Sequence, residues 1–331
     1  MTFFRATTVS AAARIPLVGA AVLGALAVLN GLAAKRAERR HPPQGRFVEV
    51  DGVRLHYTDR GEGPPVLLVH GNLVSGGDWD SSGVTAQLLQ SGHRVIAFDR
   101  PGFGHSDRPR GKLWTSEAQA GLLFKATGQL GVERPVVVGH SWGAIVALAM
   151  ALRHQADIAG AVLVSGYYFW TLRPDVLPVT LAAIPGLGDI LRYTVSPLLG
   201  RLMLPLAKRA MFSPREVPER FSETYSDGMA LRPSQLRATA DDGALMIPGA
   251  LEFRDELGSL ATPTVILAGA EDKVVFSDMA ERLHAALPHS ILHVVRGAGH
   301  MVHYAVPRQL AATIAAVARS GALPEVTAQA A

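Results

Sequence analysis

The hydrophobic rhythm of the chain changes along its length. From Ile15 to Ala34 it reads IPLVGAAVLGALAVLNGLAA, 20 residues without a charge and without a polar side chain before Asn30. As a helix, that run reaches across ~30 Å of hydrocarbon. Pro16 falls in the first turn, where proline is tolerated. After the run the pattern shortens. Phe47–Val50 and Val53–Tyr57 alternate around Asp51-Gly52, the signature of a tight hairpin. Pro65–Val69, His93–Phe98, Pro135–Val138, Ile158–Val164, Thr264–Leu267 and Ile291–Val295 are short apolar runs suited to strands buried on both faces. Ser116–Leu130, Trp142–Arg153, Ser277–Leu287 and Pro307–Arg319 read as helices between them. Strand and helix alternating at this spacing predict an α/β fold, a mostly parallel sheet with helices on both faces.

The rhythm breaks between residues 166 and 260. This stretch holds Pro174, Pro178, Pro185, Pro197, Pro205, Pro214, Pro218, Pro233 and Pro248 and no buried-strand pattern. Val179–Ile184, Ile190–Val195 and Leu198–Leu206 read as short helices interrupted by proline. The expected organisation is an N-terminal anchor and linker over 1–46, a core over 47–165 and 261–331, and an inserted helical cap over 166–260. Insertions at the C-terminal edge of such a sheet sit over the ligand crevice.

Charge sharpens this division. The chain of 331 residues has a formal net charge of +4. Residues 1–46 hold Arg5, Arg14, Lys35, Arg36, Arg39, Arg40 and Arg46 against Glu38 alone, a net of +6, which leaves the rest at −2. The basic residues flank the apolar run, so the predicted contact is with a membrane through residues 15–34, as a single-pass anchor. Lysine and arginine are slightly denser after the run than before it, which would leave the main domain in the cytoplasm, and a signal-anchor with the domain outside is the alternative orientation. Two readings compete with the anchor: a secretory signal cleaved near Gly31-Leu32-Ala33, giving a secreted or periplasmic protein, and an amphipathic helix packed on the domain, which the lack of a polar face before Asn30 argues against. A mildly acidic body argues against a nucleic-acid partner. The absence of cysteine excludes a disulfide framework, a cysteine-based zinc site and a cysteine nucleophile. No zincin spacing and no dinucleotide fingerprint is present, so no metal or cofactor is expected.

Gly139-His140-Ser141-Trp142-Gly143 fits G-x-S-x-G between a predicted strand and a predicted helix, the context that gives this motif meaning. A very sharp strand-to-helix turn projects a serine hydroxyl into the open, beside the positive end of the helix dipole. Such a serine needs a base, and the base an orienting carboxylate. His300 follows a strand in Arg296-Gly297-Ala298-Gly299-His300, with His303 as its rival. Asp272 follows another strand in Gly269-Ala270-Glu271-Asp272-Lys273, with Glu271 as its neighbour and Asp241 and Asp242 as remote alternatives. The order Ser141…Asp272…His300 suits nucleophile, acid and base. Oxyanion donors are expected from the N–H of Trp142 and from His70-Gly71-Asn72-Leu73, with Asn72 ahead of Leu73. His70, His105 and His140 fit better as scaffold.

Together with Asp99-Arg100-Pro101-Gly102-Phe103-Gly104-His105-Ser106, these motifs resemble the α/β-hydrolase superfamily over most of residues 47–320. The branch is that of esterases, cofactor-free haloperoxidases, epoxide hydrolases and haloalkane dehalogenases. Epoxide hydrolases and dehalogenases carry aspartate where Ser141 stands, which counts against both activities. Proline iminopeptidases share the Ser-Trp-Gly elbow but have a His-Gly-Gly-Pro loop, unlike His70-Gly71-Asn72-Leu73. The resemblance implies a serine hydrolase acting on a small-molecule carboxylic ester, with a hydrophobic acyl group suggested by the cap and anchor. Alternatives on the same three residues are C–C bond hydrolysis, perhydrolysis and acyl transfer. A non-catalytic receptor retaining the pocket is the alternative from another class.

Overall fold

The computed structural model describes residues 11–171, 176–287 and 289–320. Arg5, Pro174 and the two chain ends lie outside the described residues. The chain opens with helix α1 (Ala11–Arg40), followed by β1 (Arg46–Val50), β2 (Val53–Arg60) and β3 (Pro65–Val69). Next come α2 (Asp78–Ser82), α3 (Val84–Gln90), β4 (Arg94–Phe98), α4 (Ser116–Gln129), β5 (Val136–His140), α5 (Trp142–Arg153) and β6 (Gly160–Val164). A helical insertion follows: α6 (Leu177–Thr180), α7 (Leu187–Tyr193), α8 (Ser196–Phe212), α9 (Glu219–Thr224), α10 (Asp227–Ala230), α11 (Pro233–Ala244) and α12 (Met246–Glu252). The chain then re-enters the sheet with β7 (Thr264–Gly269), α13 (Asp278–Ala286), β8 (Ile291–Val295), α14 (Val302–Ala305) and α15 (Pro307–Ser320).

The eight strands lie in the order β1-β2-β4-β3-β5-β6-β7-β8. The β1–β2 and β2–β4 pairs are antiparallel, and the rest are parallel. The hairpin turn is as the sequence predicts. Asp51 and Gly52 have φ of 50° and 73°, and a two-residue primed turn needs both residues left-handed. The apolar runs become central strands because successive side chains point to opposite faces. Leu67, Val69, Val137, Leu163 and Ile266 pack on one face with α4 and α5. Val66, Leu68, Val138, Val162 and Val265 pack on the other with α3 and α15. A strand covered on both sides has no position left for a polar residue.

One local expectation fails. The proline-interrupted reading of 198–206 is wrong, because α8 runs unbroken for 17 residues through Pro205. Pro205 lies on the exposed side of the helix, so the interruption it makes in the hydrogen-bond ladder is not sealed inside the core. The helix α1 outruns its apolar core, continuing through the basic Lys35–Arg40 segment. Its later part is not a free tether. It packs on α7 and α10, with Ala37 buried. Asn30 Nδ2 donates to the carbonyls of Tyr193 and Thr194 at 3.0 and 2.9 Å, and Arg232 pairs with Glu38 at 2.9 Å.

Candidate active site

Ser141 stands between β5 and α5 with φ 53° and ψ −120°. A left-handed serine is costly and persists only where its surroundings enforce it. Here the two glycines of the motif do so. A Cβ on Gly139 would lie 2.1 Å from the carbonyl oxygen of Gly143, and a Cβ on Gly143 would lie 2.3 Å from that of Val69. Larger residues would push strand and helix apart and open the turn. The Ser141 N–H donates to the Val164 carbonyl at 2.9 Å, which ties the turn to β6.

Asp272 and His300 come from the turns after β7 and β8. Both are buried, and His300 Nδ1 lies 2.8 Å from Asp272 Oδ2. The other carboxylate oxygen accepts the N–H groups of Val274 and Val275, each at 2.8 Å. Those two donors fix the carboxylate in orientation. The neighbouring Glu271 is exposed and accepts the N–H of Ala298 at 3.1 Å, bracing the loop that carries His300.

The other candidates have different partners. His303 is fully buried and faces Asp78 Oδ2 at 2.9 Å, and the same carboxylate accepts Tyr304 Oη at 2.8 Å. His140 Nε2 donates to the His300 carbonyl at 3.1 Å. Burial, with the neighbouring His303 and His300, holds His140 far below the usual imidazole range, so it is neutral. Asp78, His140 and His303 each bring one potential ligand atom to within 4.8 Å of the others, but the Asp78 carboxylate is already occupied by His303 and Tyr304. Asp241 pairs with Arg108 at 3.2 Å and Asp242 with Arg100 at 2.6 Å. Both serve to fasten α11 to the body. His105 donates its backbone N–H to Asp99 at 2.9 Å.

Sequence reasoning passed over Arg100. Its guanidinium is fully buried and all of its N–H groups have partners. Nε donates to the His70 carbonyl at 2.8 Å. Nη1 donates to Gln119 and Asp242 at 2.9 and 2.6 Å. Nη2 donates to the Gly71 carbonyl and to Asn72 Oδ1, both at 3.1 Å. One side chain thus fixes three successive residues of the loop after β3. The Arg100 N–H also donates to His70 Nε2 at 2.9 Å. That nitrogen therefore carries no proton, and Nδ1–H donates to the Gly71 carbonyl at 2.7 Å. The loop leaves the N–H groups of Asn72 and Leu73 without an acceptor among the described residues, as is that of Trp142 at the start of α5. A cavity of about 580 Å³ adjoins this loop at Leu73, between it and Tyr225 and Gln235 of the insertion, without reaching Ser141.

Burial foremost, then Arg100, pushes the His70 imidazole down to about 4. Below pH 6.5 the unfolded chain then binds a proton that the folded chain refuses, so stability falls with falling pH until about pH 4. We expect a loss of about 2 kcal/mol at pH 5 relative to pH 7.5 from this residue alone, with His140 acting in the same direction. Urea unfolding at the two pH values checks this. Equal midpoints would show that neither imidazole is held neutral.

A sheet of this order, with a sharp G-x-S-x-G turn after β5 and helices on both faces, is that of an α/β hydrolase. A family model for the alpha/beta hydrolase fold matches residues 64–305, and the chain belongs to that family. It is 28% identical over 258 residues to a 2-hydroxy-6-oxononadienedioate/2-hydroxy-6-oxononatrienedioate hydrolase of Pseudomonas putida, covering 77% of this chain and 88% of that one. It is 27% identical over 288 residues to haloalkane dehalogenase 2 of Mycobacterium bovis, covering 83% and 94%. Among solved structures it is similar to a thermophilic esterase from Thermogutta terrifontis, with a TM-score of 0.66 and 25% identity over 84% of this chain and 99% of that one. The protein is a hydrolase.

Proposed function

We propose that the protein is a membrane-anchored serine hydrolase of carboxylic esters. The observation that carries this reading is the left-handed Ser141 on the β5–α5 turn, at the same edge of the parallel sheet from which the buried Asp272–His300 pair extends. Ser141 Oγ forms a bond to the acyl carbon while His300 takes its proton. The carbonyl oxygen becomes an oxyanion and accepts the N–H groups of Trp142 and Asn72. Collapse breaks the bond to the leaving alkoxide, which receives the proton from His300. Water then attacks the acyl-enzyme by the same route. Asp272 orients the imidazole and stabilises its charged form.

The serine argues against dehalogenation despite the similarity to the Mycobacterium enzyme. Displacing a halide at a saturated carbon suits a carboxylate nucleophile, whereas a serine alkoxide suits an acyl carbonyl. C–C bond hydrolysis is the second reading, favoured by the similarity to the Pseudomonas hydrolase. The insertion serves as a cap, a reading supported by Asp242 of α11 being paired with Arg100, which also holds the loop carrying Asn72. The contacts of Asn30 with the end of α7 favour an anchor that is kept over a leader that is removed, because cleavage near Ala33 would strip Asn30 from α7. Nitrophenyl esters of increasing chain length, assayed beside a vinylogous 1,5-diketone, test the reaction class. We expect ester turnover that rises with acyl length. Turnover of the diketone alone would replace ester hydrolysis with C–C cleavage.

A further inference from the structure

Large apolar side chains left exposed are concentrated in two places. Seven lie on α1 between Leu17 and Leu32, eleven lie between Val179 and Leu206, and six are scattered over the remaining described residues. A monomer rarely keeps so dense an apolar patch in water. On α8 the exposed residues are Leu198, Leu199, Leu202, Met203 and Leu206, with Leu202 at 73%. At 100° per residue these fall on one side of the helix, opposite the buried Pro197, Leu204 and Met211. So α8 has two apolar sides, and only one is used by the fold. Ile190 and Tyr193 continue the exposed patch onto α7, which packs against α1.

The length of α1 says what covers the patch. Arg14 and Lys35 bracket 20 uncharged residues, ~30 Å of helix. Asn30, however, is already fastened to the end of α7. From Ile15 to Leu29 the helix rises only ~22 Å, short of a hydrocarbon layer of ~30 Å. If α1 spans, the end of α7 must lie at the membrane's edge. The local polar groups suit that place. The Tyr193 and Thr194 carbonyls accept Asn30, and the Ile190 carbonyl accepts Thr194 Oγ1 at 2.6 Å, so these helix-end acceptors do not depend on water. Between Val176 and Leu206 the charged residues are Asp189, Arg192 and Arg201, and the first two form an ion pair. The exposed Lys35, Arg36, Arg39 and Arg40 follow at headgroup level, complementary to anionic lipid.

We propose that the insertion is itself a membrane-binding element: the apolar face of α7 and α8 is embedded in the interfacial layer of an anionic bilayer, beside α1. This rests on the anchor reading of α1, and it makes the cap over the site lipid-facing. The chain has no cysteine, so single reporters are unambiguous. Full-length Leu23→Cys, Leu199→Cys, Leu202→Cys and Glu133→Cys variants, each carrying an environment-sensitive fluorophore, would be reconstituted in phosphatidylcholine–phosphatidylglycerol vesicles. Glu133 is exposed ahead of β5, at the far end of the strands from Ser141. Spin-labelled lipid should quench the reporters at 23, 199 and 202 and shift their emission to the blue, leaving 133 unchanged. Quenching at 23 without 199 or 202 would overturn the embedded cap and leave the anchor standing. Quenching at 199 and 202 without 23 would uphold the cap face and overturn the anchor. No quenching at any of the three would overturn both. Concentration-dependent contact between reporters at 202 in two copies, without lipid quenching, would assign the face to a second copy and overturn the proposal.

Discussion

Asp272→Asn should lower kcat for ester hydrolysis by about 10⁴-fold while the protein stays folded. The reason lies in the two N–H donors from Val274 and Val275. They will hold the amide oxygen of the asparagine where Oδ1 now sits, which turns the NH₂ group toward His300 Nδ1. A donor there demands an unprotonated Nδ1, so the proton moves to Nε2. Nε2 can then no longer take a proton from Ser141. Glu271→Gln is the matched control, because a glutamine can still accept the Ala298 N–H. It should keep nearly full activity. Steady-state kinetics on one ester decides the matter. An Asp272→Asn variant that retains more than about a tenth of wild-type kcat would remove Asp272 from its assigned role.

Arg100→Ala should be the most destabilising single substitution outside the sheet. It removes the closest of the three partners of the fully buried Asp242 and strips donors from His70, Gly71 and Asn72 together. Breaking a buried ion pair from one side costs about 3–5 kcal/mol, a Tm loss of roughly 4–7 °C at this chain size. Arg108 Nη2 also reaches Asp242, at 3.1 Å, which softens the effect without removing it. The double variant Arg100→Met/Asp242→Leu should recover part of the Tm, since no buried charge is then left alone. Its activity should stay low, because the loop holding Asn72 has still lost its brace. Calorimetry and kinetics on both variants separate the two consequences. A Tm within about 2 °C of wild type for Arg100→Ala would show that the network does not hold the loop.

What was legible in the sequence was local. The Asp51-Gly52 turn, the doubly buried strands and the G-x-S-x-G turn are each set by a few neighbouring residues, and they stand in the fold where the pattern puts them. Asp272 and His300 could be singled out because each follows a strand that ends at the same edge of the sheet. The Arg100 network was not legible, because its partners are far away in the chain. Asp242 is 142 residues on, and nothing near Asp99-Arg100-Pro101 shows that the guanidinium turns inward. Packing of α1 on the domain was the weakest of the three readings of that run for the same reason. Asn30 looks like a blemish in an apolar run until its partners at Tyr193 and Thr194 are seen. Pro205 misled the reading of α8 because proline was taken as a stop, whereas a break on an exposed side can be tolerated.

The central claim is that Ser141 is the nucleophile. Intact mass measurement after treatment with a fluorophosphonate tests it most directly. The account predicts one added phosphonyl group on the wild-type chain, located to the peptide containing Ser141, and none on Ser141→Ala. Equal labelling of the two proteins, or an unlabelled wild type that still turns over esters, would contradict it.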